Sequence, residues 1–383
     1  MSERPLAGLR VLELARVLAG PWIGQTLADL GADVIKVEAP GGDETRGWGP
    51  PFAADGAAAY FHACNRGKRG IALDFRDAGD RAIARQLAAG ADVVLENFKV
   101  GGLARYGLDY ASAARLNPGI VYASVTGFGQ DGPEAPRAGY DFVIQAMGGI
   151  MDLTGDPDGP PQKPGVAYAD LFTGMYGTVA VLAALHMRAR TGIGQWIDLA
   201  LLDTQLAVLA NQAANYLIGG VSPRRMGNAH PNIVPYQVFD AADGPLVIAC
   251  GNDGQFERLC VGLGLELHRD PRFARNRDRL ANREALLAIL GPRIGAMQRA
   301  EVLAALHAGG VPGGAINTVA EAFAEPQALA RGAVQEVGGS RSARLPIRFS
   351  AAETAADRPP PRLDEHGPAI RAALAEGAAW PAS

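Results

Sequence analysis

Asp170 ends the segment 165–170 and stands directly before a long apolar helical pattern. Backbone N–H groups at a helix start stabilise a nearby carboxylate. The same position suits an ordinary cap, because Asp is among the favoured N-cap residues. Asn97-Phe98 ends a Val-rich run and reads equally as a loop amide beside a core aromatic. Tyr140-Asp141 lies in a Gly- and Pro-rich stretch and suits a buried hydrogen-bonded pair. Gly227-Asn228-Ala229-His230-Pro231 is a turn, with His230 open to a plain surface role. These acids, amides and glycines lie in loops or at strand ends, and each alone has a purely structural explanation.

Other chemistries lack their parts. The first β-to-α turn reads Ala15-Arg16-Val17-Leu18-Ala19-Gly20-Pro21, without the GxGxxG of dinucleotide sites. There is no P-loop, no GxSxG elbow and no HExxH, and the six histidines have no metal-ligand spacing. The net charge of -4, without a Lys/Arg cluster, gives no sign of nucleic-acid binding. Cys64, Cys250 and Cys260 fit neither a zinc site nor a disulfide framework, so a reducing cytoplasm is the expected location. The first residues carry no signal-peptide core. The apolar stretch Leu171–Met187 holds Thr, Gly and His and is expected to be a buried core helix, not a membrane span.

Elements must bring these residues together. At 383 residues, one large or two domains are expected, and 48% hydrophobic with 20% charged residues suits a folded soluble chain. Strands are expected at 9–14, 33–38, 71–75, 92–98 and 120–128. Between them lie helices at 20–30, 78–90, 100–106 and 111–116. Val- and Ile-rich strands alternating with helices imply a parallel sheet covered on both faces. Residues 129–164 are expected to be loop and 165–170 a short strand. A long helix over Leu171–Arg188 follows, then a strand at 195–201 and a helix at 202–218. A hairpin around Asp243-Gly244 opens a second, smaller α+β domain at 221–330, with helices near 254–262, 282–297 and 299–308. A helix over 367–376 is expected to dock the tail.

In this order the segments 16–52, 65–75, 91–98, 127–141, 164–177, 227–239 and 311–327 resemble the class III CoA-transferase family. They run through nearly the whole chain. Segments 214–219, 227–237 and 323–327 look most like the branch passing CoA from succinyl-CoA to glutarate and related dicarboxylates. The resemblance implies a Rossmann-like large domain, 1–220 completed by 331–383, with a small domain inserted at 221–330. It also implies an interlocked homodimer. The substrates would be an acyl-CoA and a small carboxylic acid, with no permanently bound cofactor, no metal, no nucleic acid and no membrane. Asp170 matches the family's nucleophile, which would pass through a mixed anhydride and an aspartyl-CoA thioester. Backbone N–H groups from Gly227 through Asn228 to His230 would serve as oxyanion donors.

The same resemblance places Arg16, Leu18 and Ala19 in the first CoA contact and Leu73 and Arg76 in the next, with Arg76 a phosphate donor. Asn97 and Phe98 would lie along pantetheine, Arg105 near the nucleotide and Tyr140 beside the thioester. Two positions depart from the formyl-CoA transferase pattern: Ala39 replaces an arginine, and Leu18 replaces a glutamine. A dicarboxylate would need a cation, for which Arg46, Arg137, Arg224 and Arg225 are candidates. The main rival is an α-methylacyl-CoA racemase of the same fold. That enzyme needs a histidine where this chain has Tyr140, although Asp253 matches an acidic racemase position. A CoA-binding protein without catalysis and a nicotinamide-dependent oxidoreductase are the remaining alternatives.

Overall fold

The computed structural model describes residues 4–354 and 356–382. The chain divides into two compact units. The first comprises the chain up to Met151, Lys163–Ser222 and the chain from Leu329 onward. The second comprises Asp152–Gln162 and Pro223–Ala328.

The first unit is built on a six-stranded sheet: β1 Arg10–Glu13, β2 Asp33–Glu38, β3 Lys68–Ala72, β4 Val93–Glu96, β5 Val121–Thr126 and β6 Gln195–Ala200. Their order is β3-β2-β1-β4-β5-β6, and all pairings are parallel. Strand order therefore reverses between β1 and β4. Beyond the carboxyl ends of two such strands lies the crevice where open α/β sheets bind ligands.

Alternate residues of these strands feed two cores. Leu12, Ile35, Ile71 and Val94 pack with the helices Ala78–Gly90 and Gly367–Ala375. Val11, Val34, Val93 and Val121 pack on the other face with the helices Ala19–Asp29 and Tyr168–Thr191. The C-terminal segment covers the edge of β3: Ala72 N donates to Asp364 Oδ1 at 2.8 Å, and Arg371 Nη2 to the Ala72 carbonyl at 2.6 Å. An edge strand with its ladder groups occupied is closed to further pairing.

Several elements differ from expectation. No strand forms over 165–170; the long helix starts earlier, at Tyr168, and runs 24 residues to Thr191. Its first turn is capped from a distance by Asp141, which takes the place of the strand-to-helix turn expected there. The 202–218 helix is two helices, Leu201–Ala207 and Ala210–Gly219, broken where Ala210 takes φ +48°. Residues 100–106 hold only a short turn of tight helix, Ala104–Tyr106. The 129–164 stretch contains the helix Asp141–Met147.

In the second unit, β7 Tyr236–Ala241 and β8 Gly244–Ala249 form the expected hairpin, joined by β9 Gly313–Ala315. The guanidinium of Arg279, fully buried, lies over the Phe256 ring and donates to Val234 O at 2.7 Å and Asp253 Oδ1 at 2.8 Å. Back in the first unit, β10 Val334–Val337 and β11 Ser340–Ala343 form a small hairpin.

Charged residues inside the sheet are the least expected feature. Glu13 of β1, Lys36 of β2 and Lys68 of β3 are all fully buried. Lys36 Nζ and Lys68 Nζ lie 3.2 and 2.9 Å from Glu13 Oε1, and Lys36 Nζ lies 3.0 Å from Asp43 Oδ2. Removing one partner of a buried ion cluster leaves an uncompensated charge in low dielectric. Glu13→Ala is therefore expected to cost about 3–5 kcal/mol in denaturant unfolding. A cost under about 1 kcal/mol would mean that the lysines do not depend on Glu13 for compensation.

Candidate active site

The crevice at the strand-order reversal is built around the turn after β1. Asn97, just past β4, ties the two sides: its Oδ1 accepts from Arg16 N at 3.0 Å and its Nδ2 donates to Arg16 O at 2.7 Å. This is the backbone mimicry expected of an asparagine, and it holds the β1 and β4 exits together. Val17 follows with φ +70°, a left-handed conformation that is a genuine outlier for a β-branched residue. Its N–H donates to Asp43 Oδ2 at 3.3 Å. Leu18 and Ala19 then start the first helix.

Two adjoining cavities share this turn. The first, about 340 Å³, is lined by Arg16, Leu18, Asn97, Tyr140, Asp141 and Asp170, among others. The second, about 430 Å³, is lined by Ala39, Leu73, Asp74, Phe75 and Arg76. Arg16, Glu44 and Phe98 border both, so the two form one groove across the carboxyl ends of the sheet.

Asp170 sits at the inner end of that groove, in the first turn of the Tyr168–Thr191 helix, and is 8% exposed. It is not the cap. The cap is Asp141, whose Oδ1 accepts from Ala169 N at 2.9 Å and Asp170 N at 3.2 Å. The helix-start N–H groups are thus already engaged, and no hydrogen bond reaches the Asp170 carboxylate among the described residues. The expected stabilisation of an ionised Asp170 by the helix start is not realised. Burial, and then the neighbouring Asp141 charge, push its carboxyl up to about 7. The Tyr60 phenol behind it is also raised, first by burial and then by Asp170.

Other anticipated positions fare differently. Arg76 is exposed and lies in a two-pronged ion pair with Asp74, at 3.0 and 2.7 Å, so its charge is already matched. Arg105 lines neither cavity; its guanidinium covers the Tyr106 ring at 4.6 Å, and Tyr106 packs on Phe75. Arg46 is engaged twice by Glu38, at 2.7 Å each, and lies over Phe61. Arg225 pairs with Asp152. Arg137, paired with Glu134, is the candidate cation that lines the first cavity.

Gly227, Asn228 and His230 belong to the second unit. There the His230 N–H donates to Tyr236 O at 2.9 Å and the Ala229 N–H to Met226 O at 3.0 Å. His230 is thus not available as a backbone donor. The His230 ring accepts from Asn232 N at 3.0 Å through Nδ1. Sequence reading missed Val17, Asp43, Glu44 and Lys99. None carries a motif, and only their closeness to the β1 turn and the Asn97 segment could have drawn attention to them.

Residues 6–367 match the family described as CoA-transferase family III. A succinate–glutarate CoA-transferase of Agrobacterium fabrum is 52% identical over 97% of this chain and 96% of that protein. A succinyl-CoA:glutarate CoA-transferase of Mus musculus is 44% identical over 95% of this chain and 85% of that protein. A solved structure, a CAIB/BAIF family protein from Brucella suis, is 60% identical with a TM-score of 0.88, covering 98% of this chain and 100% of that one. The chain belongs to CoA-transferase family III.

A family III CoA-transferase exchanges CoA between an acyl-CoA and a carboxylate. A groove ending on a buried, unbonded carboxylate is the part of this fold suited to that task.

Two predictions follow from the groove. Because the folded Asp170 holds its proton up to about 7, a reaction that uses its carboxylate is expected to show kcat/KM falling on the acid side with a midpoint near that pH. Between the unfolded value of 3.8 and about 7, the folded state binds more protons than the unfolded state, so this group's stability contribution is lost as pH rises. Asp170→Asn should therefore stabilise the fold at pH 8 by roughly 2–4 kcal/mol and far less at pH 4. Equal gains at both values would contradict the buried-charge account. For the strained turn, Val17→Gly relieves a left-handed φ but loosens the unfolded chain. Stability should stay within about 1 kcal/mol while KM for acyl-CoA rises. A large loss of stability with unchanged KM would mean that Val17 serves packing instead.

Proposed function

We propose that this enzyme moves CoA from succinyl-CoA, or another dicarboxylyl-CoA, to a free dicarboxylic acid such as glutarate, with Asp170 as the covalent nucleophile. One observation carries the reading: the groove ends on a carboxylate that is buried, faces the cavity and accepts no hydrogen bond. A structural carboxylate at that depth would be paired. The names of the relatives support the substrate class.

The chemistry divides one difficult exchange into four attacks. Asp170 adds to the thioester carbonyl carbon and expels CoA thiolate, leaving an acyl-aspartyl anhydride. The thiolate attacks the Asp170 carbonyl carbon and releases the donor acid. The acceptor carboxylate attacks the resulting aspartyl-CoA thioester and again frees the thiolate. The thiolate then takes the new acyl group and restores the Asp170 carboxylate. The 3′,5′-nucleotide end of CoA would occupy the cavity lined by Leu73 and Arg76, where Ala39 supplies no charge. Pantetheine would pass Arg16, Phe98 and Asn97, bringing the thioester past Leu18 and Ala19 to Tyr140 and Asp170. Arg137 is assigned the distal carboxylate. Arg76 can reach a phosphate by releasing Asp74, since the pair is exposed and such pairs are weak.

A racemase reading fits less well. Tyr140 lacks the imidazole that proton transfer needs, and Asp253 is held by Arg279. An interlocked homodimer is also proposed. Tyr176, Val179, Leu182, Ile193 and Trp196 of the first unit expose large apolar surfaces that a second chain would cover.

The test combines succinyl-CoA with a panel of mono- and dicarboxylates, hydroxylamine trapping and mass mapping. Dicarboxylates should be the preferred acceptors, with the trapped group on Asp170. Asp170→Ala should bind CoA within about threefold of the parent yet lose trapping and at least about a thousandfold in transfer. Substantial transfer by that variant would end the assignment.

A further inference from the structure

The Asp170 carboxylate is placed by a residue 29 positions earlier. Asp141 opens the helix Asp141–Met147 and turns its carboxylate onto the start of the Tyr168–Thr191 helix. Its Oδ1 holds the Ala169 and Asp170 N–H groups, at 2.9 and 3.2 Å. Its Oδ2 is held in turn by Gln145 Nε2 at 2.6 Å, and Gln145 is fully buried. The same Gln145 amide donates to Val166 O at 3.3 Å, so it fixes both the cap and the loop that leads into the helix. Two carboxylates therefore share the groove's inner end. One receives three donors and the other, among the described residues, none.

We propose that Asp141 is the positioning residue of the transfer reaction: it aims Asp170 into the groove and, by its charge, drives the acylation of Asp170 forward. The idea rests on the reading of Asp170 as nucleophile. When Asp170 attacks the thioester, an oxygen–carbon bond forms, the carbon–sulfur bond breaks, and the electron pair leaves with sulfur. The negative charge moves from beside Asp141 to the departing thiolate. Repulsion between the two carboxylates is present before the step and absent after it, so the adduct is favoured by what Asp141 does to the resting enzyme. The other charged or titratable groups facing this end are Arg16, Glu44, Lys99, Arg137 and Tyr140, with Tyr60 behind. Apart from burial, Asp141 is the group that shifts Asp170.

Two substitutions separate aim from charge. In Asp141→Asn the amide oxygen still caps the helix. Gln145 can accommodate the new NH2 by turning its own unpartnered Oε1 toward it. The charge alone is lost. The acid limb of kcat/KM should move down by about one pH unit and adduct formation at pH 8 should slow about tenfold, with KM for acyl-CoA changed less than about threefold. Asp141→Ala removes cap and charge together, and its trapping rate should fall at least about tenfold below that of Asp141→Asn. An unmoved acid limb with kcat within about twofold for Asp141→Asn would overturn the charge role. Equal trapping rates in the two variants would overturn the aiming role. Trapping in the parent enzyme at a residue other than Asp170 would instead sink the nucleophile reading on which the proposal stands.

Discussion

Two lysines and two carboxylates shut away from water determine where the groove can be. Lys36 and Lys68 enter the sheet on neighbouring strands and meet Glu13 between them, with Asp43 closing the cluster. An isolated charge at that depth would be prohibitive, so each must have several partners. Those partners include backbone. Lys36 Nζ donates to Ala15 O and Lys68 Nζ to Pro21 O, at 2.8 and 2.9 Å. Asp43 receives the Val17 N–H. The chain from Ala15 to Pro21 is thus gripped from beneath at three points. A valine can persist at φ +70° because its neighbours leave no relaxed alternative.

Small residues transmit that placement to Asp170. A Cβ on Gly24 would fall 1.8 Å from Glu13 Oε2, so the first helix must be bare there for the cluster to exist. The first helix in turn lies close against the Tyr168–Thr191 helix. A Cβ on Gly174 would stand 3.1 Å from Ala19 O, and one on Gly177 would meet Ile23 Cδ1 at 2.4 Å. Gly174 lies one turn beyond Asp170, so the glycines fix how far the carboxylate stands from the turn that lines both cavities. Asp141 then fixes its direction. The distance comes from steric contact and the direction from hydrogen bonds, each supplied by residues that do not react.

What the sequence made legible follows the same physics. Val11, Val34, Val93 and Val121 announce buried strands because apolar runs have few other uses in a chain of this composition, and the parallel sheet follows from them. Lys68-Arg69 hides the start of β3, because a charged pair at a strand's head reads as loop until its charged partners, 36 or more positions away, are known. The position of Asp170 before a long helix suggests that the helix-start N–H groups hold its carboxylate, but they go to Asp141, which is remote in sequence and which no local pattern identifies. Leu18, Asn97 and Tyr140 line the groove, whereas Arg105 and the His230 N–H have other partners. Contacts local in sequence could be read, and those made through folding could not.

The proposed exchange moves anions, and this decides what kind of site it needs. A carboxylate attacks, a thiolate leaves, and the next carboxylate attacks in turn; no proton changes hands in any of the four steps. General acids and bases would bring no advantage, which fits a groove whose proposed reactive residue is an aspartate and whose lining includes no histidine among the described residues. What such a chain does require is that the resident carboxylate be neither too comfortable nor too exposed. In water, or with donors on both oxygens, it would be a stable anion and a poor nucleophile. Buried and denied donors, it holds its charge at a disadvantage that each acylation relieves. Giving the helix-start N–H groups to Asp141 instead of Asp170 does this structurally: it spends the favourable dipole on the residue that must stay put and withholds it from the one that must react.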